Sequence, residues 1–250
     1  MGTAVLSALR QAPRGPSSMP FDVAERVTMM CASALFTGLS ERECLEIASC
    51  AKARTFVRDE ILFMEGQPAR SLVMIHNGSV KLSQLSASGN EVILWMTGSS
   101  EPVGVPAENS SCSHTCSARA MEQCKASVWE YAKLQNLLEE YPQIRKNISN
   151  ILSGRLSELQ ERFREVATEK VAKRLALTLV RLAKKVGKPA HPGTEVSLSR
   201  DELAQMTGTT LFTISRVLSK WAEEGFIEPR RGSVVVLDAA RLGEVCDEDE

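Results

Sequence analysis

At 250 residues the chain is long enough for two ordinary domains or one large one, and its 43% hydrophobic and 24% charged residues exclude wholesale disorder, a collagen repeat and a coiled-coil rod. No stretch approaches the roughly 18 uninterrupted apolar residues of a membrane span, and the first twenty residues hold too short an apolar run for a secretion signal, so a cytoplasmic protein with no membrane partner is expected. The formal charge of -1 conceals a division: residues 141–235 carry 17 Lys and Arg against 10 Asp and Glu, a balance of +7 that leaves -8 on the remainder, as when one region meets a polyanion.

Residues 1–20, rich in Gly, Pro, Ser and Ala without periodicity, read as a mobile tail. Helical signals dominate from Val23 to about Ala53, where Ser40 followed by Glu43 makes a capping box ahead of Leu45, Ile47 and Ala48. Between Arg54 and Tyr131 short apolar alternations take over. TFVRDEILF, SLVMIHNGSVKLSQL, EVILWM and ASVWEY read as strands punctuated by glycines, which predicts a small antiparallel barrel or sandwich within a domain spanning 21–141. His76, next to Asn77-Gly78, reads as an exposed turn residue, and Trp95 and Trp129 as core aromatics.

From Leu134 the period returns to that of a helix. KLQNLLEEY ends before Pro142, after which Ile144, Ile148, Ile151, Leu152, Leu156, Leu159, Phe163 and Val166 recur at spacings of three and four, predicting one helix over 142–167. Such a helix is longer than a small barrel needs to cover its own face, so Ile144, Ile148, Ile151, Leu152 and Leu159 are expected to pack against their twins in a homodimer. The alternative is that the stripe covers only its own barrel.

Val171–Val186 is a basic amphipathic helix closed by Gly187 and Pro189. A short strand (Glu195 to Leu198) leads to Ser199, which forms a second capping box with Glu202. The helix from Arg200 to Met206 stops at Thr207-Gly208, and another runs from near Thr210 to Glu224. FIEP and SVVVL then flank Arg230, Arg231 and Gly232 as a hairpin. This order is the plan of a winged helix-turn-helix, assigned to 168–240 and followed by an acidic tail at 241–250.

In a helix-turn-helix the start of the second helix reaches base edges in the major groove. Here those side chains are Thr209, Thr210, Phe212, Thr213, Ser215 and Arg216, with Arg216 suited to bidentate bonding with guanine. Leu211, Ile214, Val217, Leu218 and Trp221 are expected on the buried side. Lys220, Arg230 and Arg231 stand where phosphates would pass and would position the duplex without reading it. Taken singly, Arg216 also reads as a surface partner of Glu223 or Glu224, and Arg230 and Arg231 as a solvated turn.

Seven cysteines, at 31, 44, 50, 112, 116, 124 and 246, are an odd number in a chain with no export signal, so reduced thiols are expected. Cys112, His114, Cys116 and Cys124 fall within thirteen residues and offer soft ligands for a metal or haem, or a thiol redox switch; their spacing fits no standard zinc pattern, and no cofactor is assigned. A thiol or metal enzyme built on these residues is one alternative function, although the chain has no P-loop, dinucleotide-binding glycine fingerprint or HExxH. A ligand-binding module acting on a protein partner is another.

Phe63-x-Glu65-Gly66, Ile75-x-x-Gly78-Ser79-Val80, Gly89 with Glu91, Leu152-Ser153-Gly154 and Thr213-Ile214-Ser215-Arg216 occur in this order across about nine tenths of the sequence. With them the chain resembles the Crp/Fnr family, the bacterial transcription regulators grouped with the cyclic AMP receptor protein and the fumarate and nitrate reduction regulator. The resemblance implies an α+β fold: a β-roll sensor domain like a cyclic-nucleotide-binding jelly roll, a long dimerisation helix and a C-terminal winged helix-turn-helix. It further implies double-stranded DNA with a near-palindromic operator as partner, and RNA polymerase where the protein acts as an activator.

The same resemblance places an effector site at Gly104, His114, Thr115 and Arg155. Cyclic-nucleotide members carry a Gly-Glu and an Arg-Ser pair where this chain has Gly104-Val105 and His114-Thr115, so the ribose acceptor and the phosphate's charge partner are missing. Arg155 matches a nucleotide-contacting arginine, but Leu159 and Gln160 stand where that subgroup has hydroxyl residues. Cyclic AMP is therefore not the expected signal. An iron-sulfur cluster is not expected either, since Cys31, Cys44 and Cys50 are widely spread and Ser127 occupies the roll position of the fourth ligand. Phe212 replaces the recognition-helix glutamate of both subgroups, so their operators do not carry over.

Overall fold

The computed structural model describes residues 23–104 and 113–244. Helix α1 (Val23–Cys31) leads through a 3₁₀ turn at Ala34–Phe36 to α2 (Glu41–Ser49). The predicted capping box is present: Ser40 Oγ accepts from the Glu43 N–H, and the Glu43 carboxylate accepts from the Ser40 N–H at 2.6 Å.

Eight strands follow: β1 (Lys52–Phe56), β2 (Ile61–Phe63), β3 (Ser71–Asn77), β4 (Val80–Leu85), β5 (Glu91–Thr97), β6 (Pro102–Val103), β7 (Ser117–Ala120) and β8 (Cys124–Glu130). They pair antiparallel in two four-stranded sheets, ordered β1-β8-β3-β6 and β2-β7-β4-β5. Their facing sides enclose Phe56, Phe63, Val73, Ile75, Val80 and Cys124 among others. Strand β7 lies in what the sequence presents as a cysteine-rich loop. Its small residues carry little strand signal, and its place comes from pairing with β2 on one side and β4 on the other.

His76 corrects a sequence expectation. It lies at the end of β3 with no solvent exposure, and its Nε2 is 2.7 Å from Ser127 Oγ on β8. The same hydroxyl accepts from Arg26 Nε at 3.0 Å, while Arg26 Nη2 donates to the Ala48 carbonyl at 2.6 Å. The network ties α1 and α2 to the sheet. Burial and the neighbouring Arg26 charge hold His76 neutral, its pKa lowered to about 4. Trp129 is fully buried and donates to the Ile47 carbonyl at 2.9 Å. Trp95 is only half-buried, under the Lys185 ammonium at 3.8 Å from the ring centre.

Helix α3 (Tyr131–Glu140) precedes α4 (Pro142–Thr168), one unbroken helix of 27 residues. Its apolar stripe divides. Ile144, 1% exposed, belongs to the core formed by α1, α2 and the outer face of the roll, and Ile148 and Ile151 are half-buried against that core. The expectation that these three serve the dimer is corrected for Ile144, which is used up inside its own protomer. Leu152, Leu156, Leu159, Phe163 and Val166 remain exposed.

The C-terminal unit comprises α5 (Val171–Val186), β9 (Lys188–Pro189), β10 (Thr194–Val196), α6 (Arg200–Thr207), α7 (Leu211–Glu223), β11 (Ile227–Arg230), β12 (Ser233–Val236) and α8 (Ala239–Glu244), its sheet ordered β11-β12-β10-β9. Helix α5 matches its sequence bounds at both ends. Residues 241–244, assigned by sequence to an acidic tail, are helical, and Leu242 is fully buried. The remainder of that tail, the N-terminal tail, Val105 and Cys112 lie outside the described residues.

Candidate nucleic-acid interface

Helices α6 and α7 are set by their caps. Ser199 and Glu202 form the predicted capping box on α6. Gly208 ends that helix at φ +64°, a left-handed conformation that glycine adopts without the steric cost borne by a side chain. Thr210 then caps α7, its Oγ1 accepting from the Thr213 N–H at 3.2 Å. Ile214, Leu218 and Trp221 anchor α7 in a core shared with α5, α6 and the wing. At 100° per residue the opposite face carries Phe212, Arg216 and Ser219, all exposed.

Arg216 is exposed, and among the described residues it forms no ion pair with Glu223 or Glu224. Phe212 is 84% exposed. Thr209, Thr213 and Ser215 are half-buried, and Thr210 is exposed but occupied as the cap. Leu211, expected on the buried side, is 42% exposed because it is the first residue of the helix and lies at the edge of the buried face. Lys220 is 3.9 Å from Glu224. In the wing, Arg231 is exposed, whereas Arg230 pairs with Glu228 at 2.9 Å and Glu195 at 3.8 Å.

A cleft of 470 Å³ opens between the wing and the start of α6, lined by Arg200, Leu211, Arg230 and Arg231 among others. Arg200 is the residue that sequence reasoning missed. It is exposed at the first position of α6, and its Nη1 is 3.5 Å from Ser215 Oγ. A basic residue directly after the N-cap of the first helix is a signal for it in the sequence.

The effector positions come together only in part. Gly104, at φ +68°, packs so closely that a Cβ there would lie 2.7 Å from the Phe63 ring and 3.1 Å from His114. His114 is buried and stacked on Phe63 with ring centres 3.7 Å apart, not solvated, and burial lowers its pKa. Thr115 is exposed. Arg155 donates to the Pro102 carbonyl at 2.6 Å and lies 5.9 Å from the Trp95 ring. Burial also raises the Cys116 thiol and pushes Cys124, whose Sγ donates to the Ser79 carbonyl, up to about 11. Among the described residues no three His, Cys, Asp or Glu side chains are placed to hold a metal together; Cys112, the fourth of the candidates the sequence offered, lies outside them.

The roll and the winged unit are joined by charge as well as by packing. Ile93 and Met96 of β5 enter the winged unit's core. Arg162 of α4 donates to the Leu94 carbonyl, and Lys81 of β4 lies 3.6 Å from the Glu202 carboxylate that caps α6. Glu165, buried on α4, holds Arg181 of α5 through two bonds of 2.5 and 2.8 Å.

Two family models match the chain, the cyclic nucleotide-binding domain over residues 53–141 and the Crp-like helix-turn-helix domain over 173–245. The CRP-like cAMP-activated global transcriptional regulator of Mycobacterium tuberculosis is 24% identical over 216 residues, 86% of this chain and 96% of that protein. The transcriptional activator protein Anr of Pseudomonas aeruginosa is 24% identical over 193 residues, 76% of this chain and 79% of that protein. Among solved structures, the c-di-GMP-responsive global regulator CLP of Xanthomonas campestris superposes with a TM-score of 0.68 at 27% identity, covering 80% of this chain and all of that one.

Proposed function

Given that this chain belongs to the Crp/Fnr family of transcriptional regulators, proteins with a sensor domain and a DNA-binding helix-turn-helix and not enzymes, we propose that it acts as a homodimer setting two copies of α7 into a near-palindromic duplex. The observation that carries this reading is the outward face of α7, where Arg216 stands exposed beside Phe212 with no ion pair among the described residues, while the opposite face is anchored in the core. Arg216 reads a base edge. Thr213 and Ser215 flank it, and Thr209 and Thr210 approach the backbone at the helix start. Lys220, Arg200, Arg230 and Arg231 meet phosphates.

Pairing uses Leu152 and Leu159, with Leu156, Phe163 and Val166, the part of α4 not spent on its own core. The half-sites would then lie about 34–36 Å apart, one turn of duplex. RNA polymerase is the further partner of such a dimer when it activates. A DNA partner implies a cytoplasmic setting, and among the described residues no helix is long and apolar enough to cross a membrane.

The effector of the roll is inferred not to be a cyclic nucleotide. His114 and Thr115 put no positive charge where a cyclic phosphate would need one, the His114 ring is stacked on Phe63, and Arg155 is engaged by the Pro102 carbonyl. A small organic molecule or a redox signal is the proposed effector, with Gly104, His114, Thr115 and Arg155 as its candidate contacts.

Fluorescence anisotropy of a labelled duplex carrying a near-palindrome chosen from a random pool tests the reading. Affinity is expected to fall at least about a hundredfold between roughly 50 and 200 mM salt, since neutralised phosphates release counterions. Binding that is absent or insensitive to salt would reject it.

A further inference from the structure

The tip of α7 presents apolar surface toward the space a duplex would fill. Phe212 is the most exposed large hydrophobic residue among those described, at 84%, and Leu211 beside it is 42% exposed. Phe212 and Arg216 are four residues apart and so lie one turn apart on the face opposite Ile214, Leu218 and Trp221. The Thr210 cap fixes the first turn that carries the ring.

A phenyl ring has neither donor nor acceptor, so it cannot pair with the nitrogens and oxygens displayed in the major groove. The one apolar group on any base edge there is the 5-methyl of thymine. We propose that Phe212 is a specificity-determining residue that reads thymine in each half-site through contact with this methyl group. The assignment rests on the DNA-binding reading above and adds to it the identity of a base. Arg216, one turn further along, reads a guanine close by, so each half-site holds a thymine and a guanine within a few base pairs.

The test selects duplexes with the full chain from a pool of about 20 randomised base pairs, then replaces each thymine singly by deoxyuridine, which lacks only the methyl. One thymine per half-site is expected to lose about fourfold in affinity on replacement, the worth of one buried methyl group, and about fifteenfold when both half-sites are changed. With Phe212→Ala the same replacements are expected to change nothing. Because the ring is exposed, the variant retains the core. Selection with Phe212→Glu is expected to exchange that thymine for cytosine, whose N4 amino group donates to a carboxylate. If no deoxyuridine replacement matters, or if the loss is the same in wild type and Phe212→Ala, the assignment of Phe212 is overturned while the DNA-binding reading stands. If no duplex is enriched, both fall.

Discussion

His76 is fully buried, and that sets its behaviour toward acid. Its folded pKa is about 4, against about 6.5 in an unfolded chain. Between those values the unfolded state takes up a proton that the folded state refuses, so stability falls as pH drops through this window. The loss is expected to be about 2 kcal/mol between pH 7.5 and pH 5, before the carboxylates held low by hydrogen bonds, Glu46 and Glu91 among them, begin to protonate. Urea titrations at the two pH values check it: His76→Gln, neutral throughout, should remove most of the difference, and parallel losses in wild type and variant would assign the effect elsewhere. Also at this scale, Arg216 and Lys220 should part company on DNA. Arg216→Ala is expected to lose about 1–3 kcal/mol of discrimination at one base pair, whereas Lys220→Ala weakens binding to all sequences alike. Competition with single-base-pair variants of the selected duplex separates the two.

Helix α4 spends the first part of its apolar stripe on its own protomer and leaves the second part exposed, the part we assign to a dimer seam. Ile144→Ala is expected to cost about 2–5 kcal/mol of stability through the cavity it leaves, without weakening association of the folded chain. Leu159→Glu with Phe163→Glu, at exposed positions, should leave each protomer folded but monomeric in sedimentation. A dimer that survives both charges would move the interface off this face. The division was not legible in the sequence, because spacings of three and four mark a buried stripe without saying which partner buries it. Local signals fared better: the period of α5 with Gly187 and Pro189 beyond it and the Ser199 capping box yielded α5 and α6 nearly residue for residue, while the Ser40 box marked the start of α2 but not its end, which comes before Lys52 opens β1. Non-local placements escaped. Strand β7 exists by virtue of its neighbours, and buried His76 meets Ser127, 51 residues away. Of the proposed DNA-facing set, the exposed positions of Arg216 and Phe212 were legible from helical spacing, whereas the pairing of Arg230 with Glu195 needed the fold of the wing.

Across the whole molecule, the sensor roll reaches the recognition helix by short physical steps. Strand β5 lends Ile93 and Met96 to the core that holds α7, and Lys81 sets a buried charge against the carboxylate that caps α6. Lys185 on α5 lies 3.6 Å from Glu101 of the roll and 3.9 Å from Glu158 of α4. A shift in β4 or β5 would therefore be felt at the start of the helix-turn-helix and, in the proposed dimer, through α4 by the second copy. Two chains gripping one duplex through α7 make up the proposed complex, and its stoichiometry measures that directly. Sedimentation with the selected duplex is expected to give two chains per duplex, with binding much weakened when one half-site is scrambled. A single chain per duplex, or equal affinity for the intact and half-scrambled sites, would contradict it.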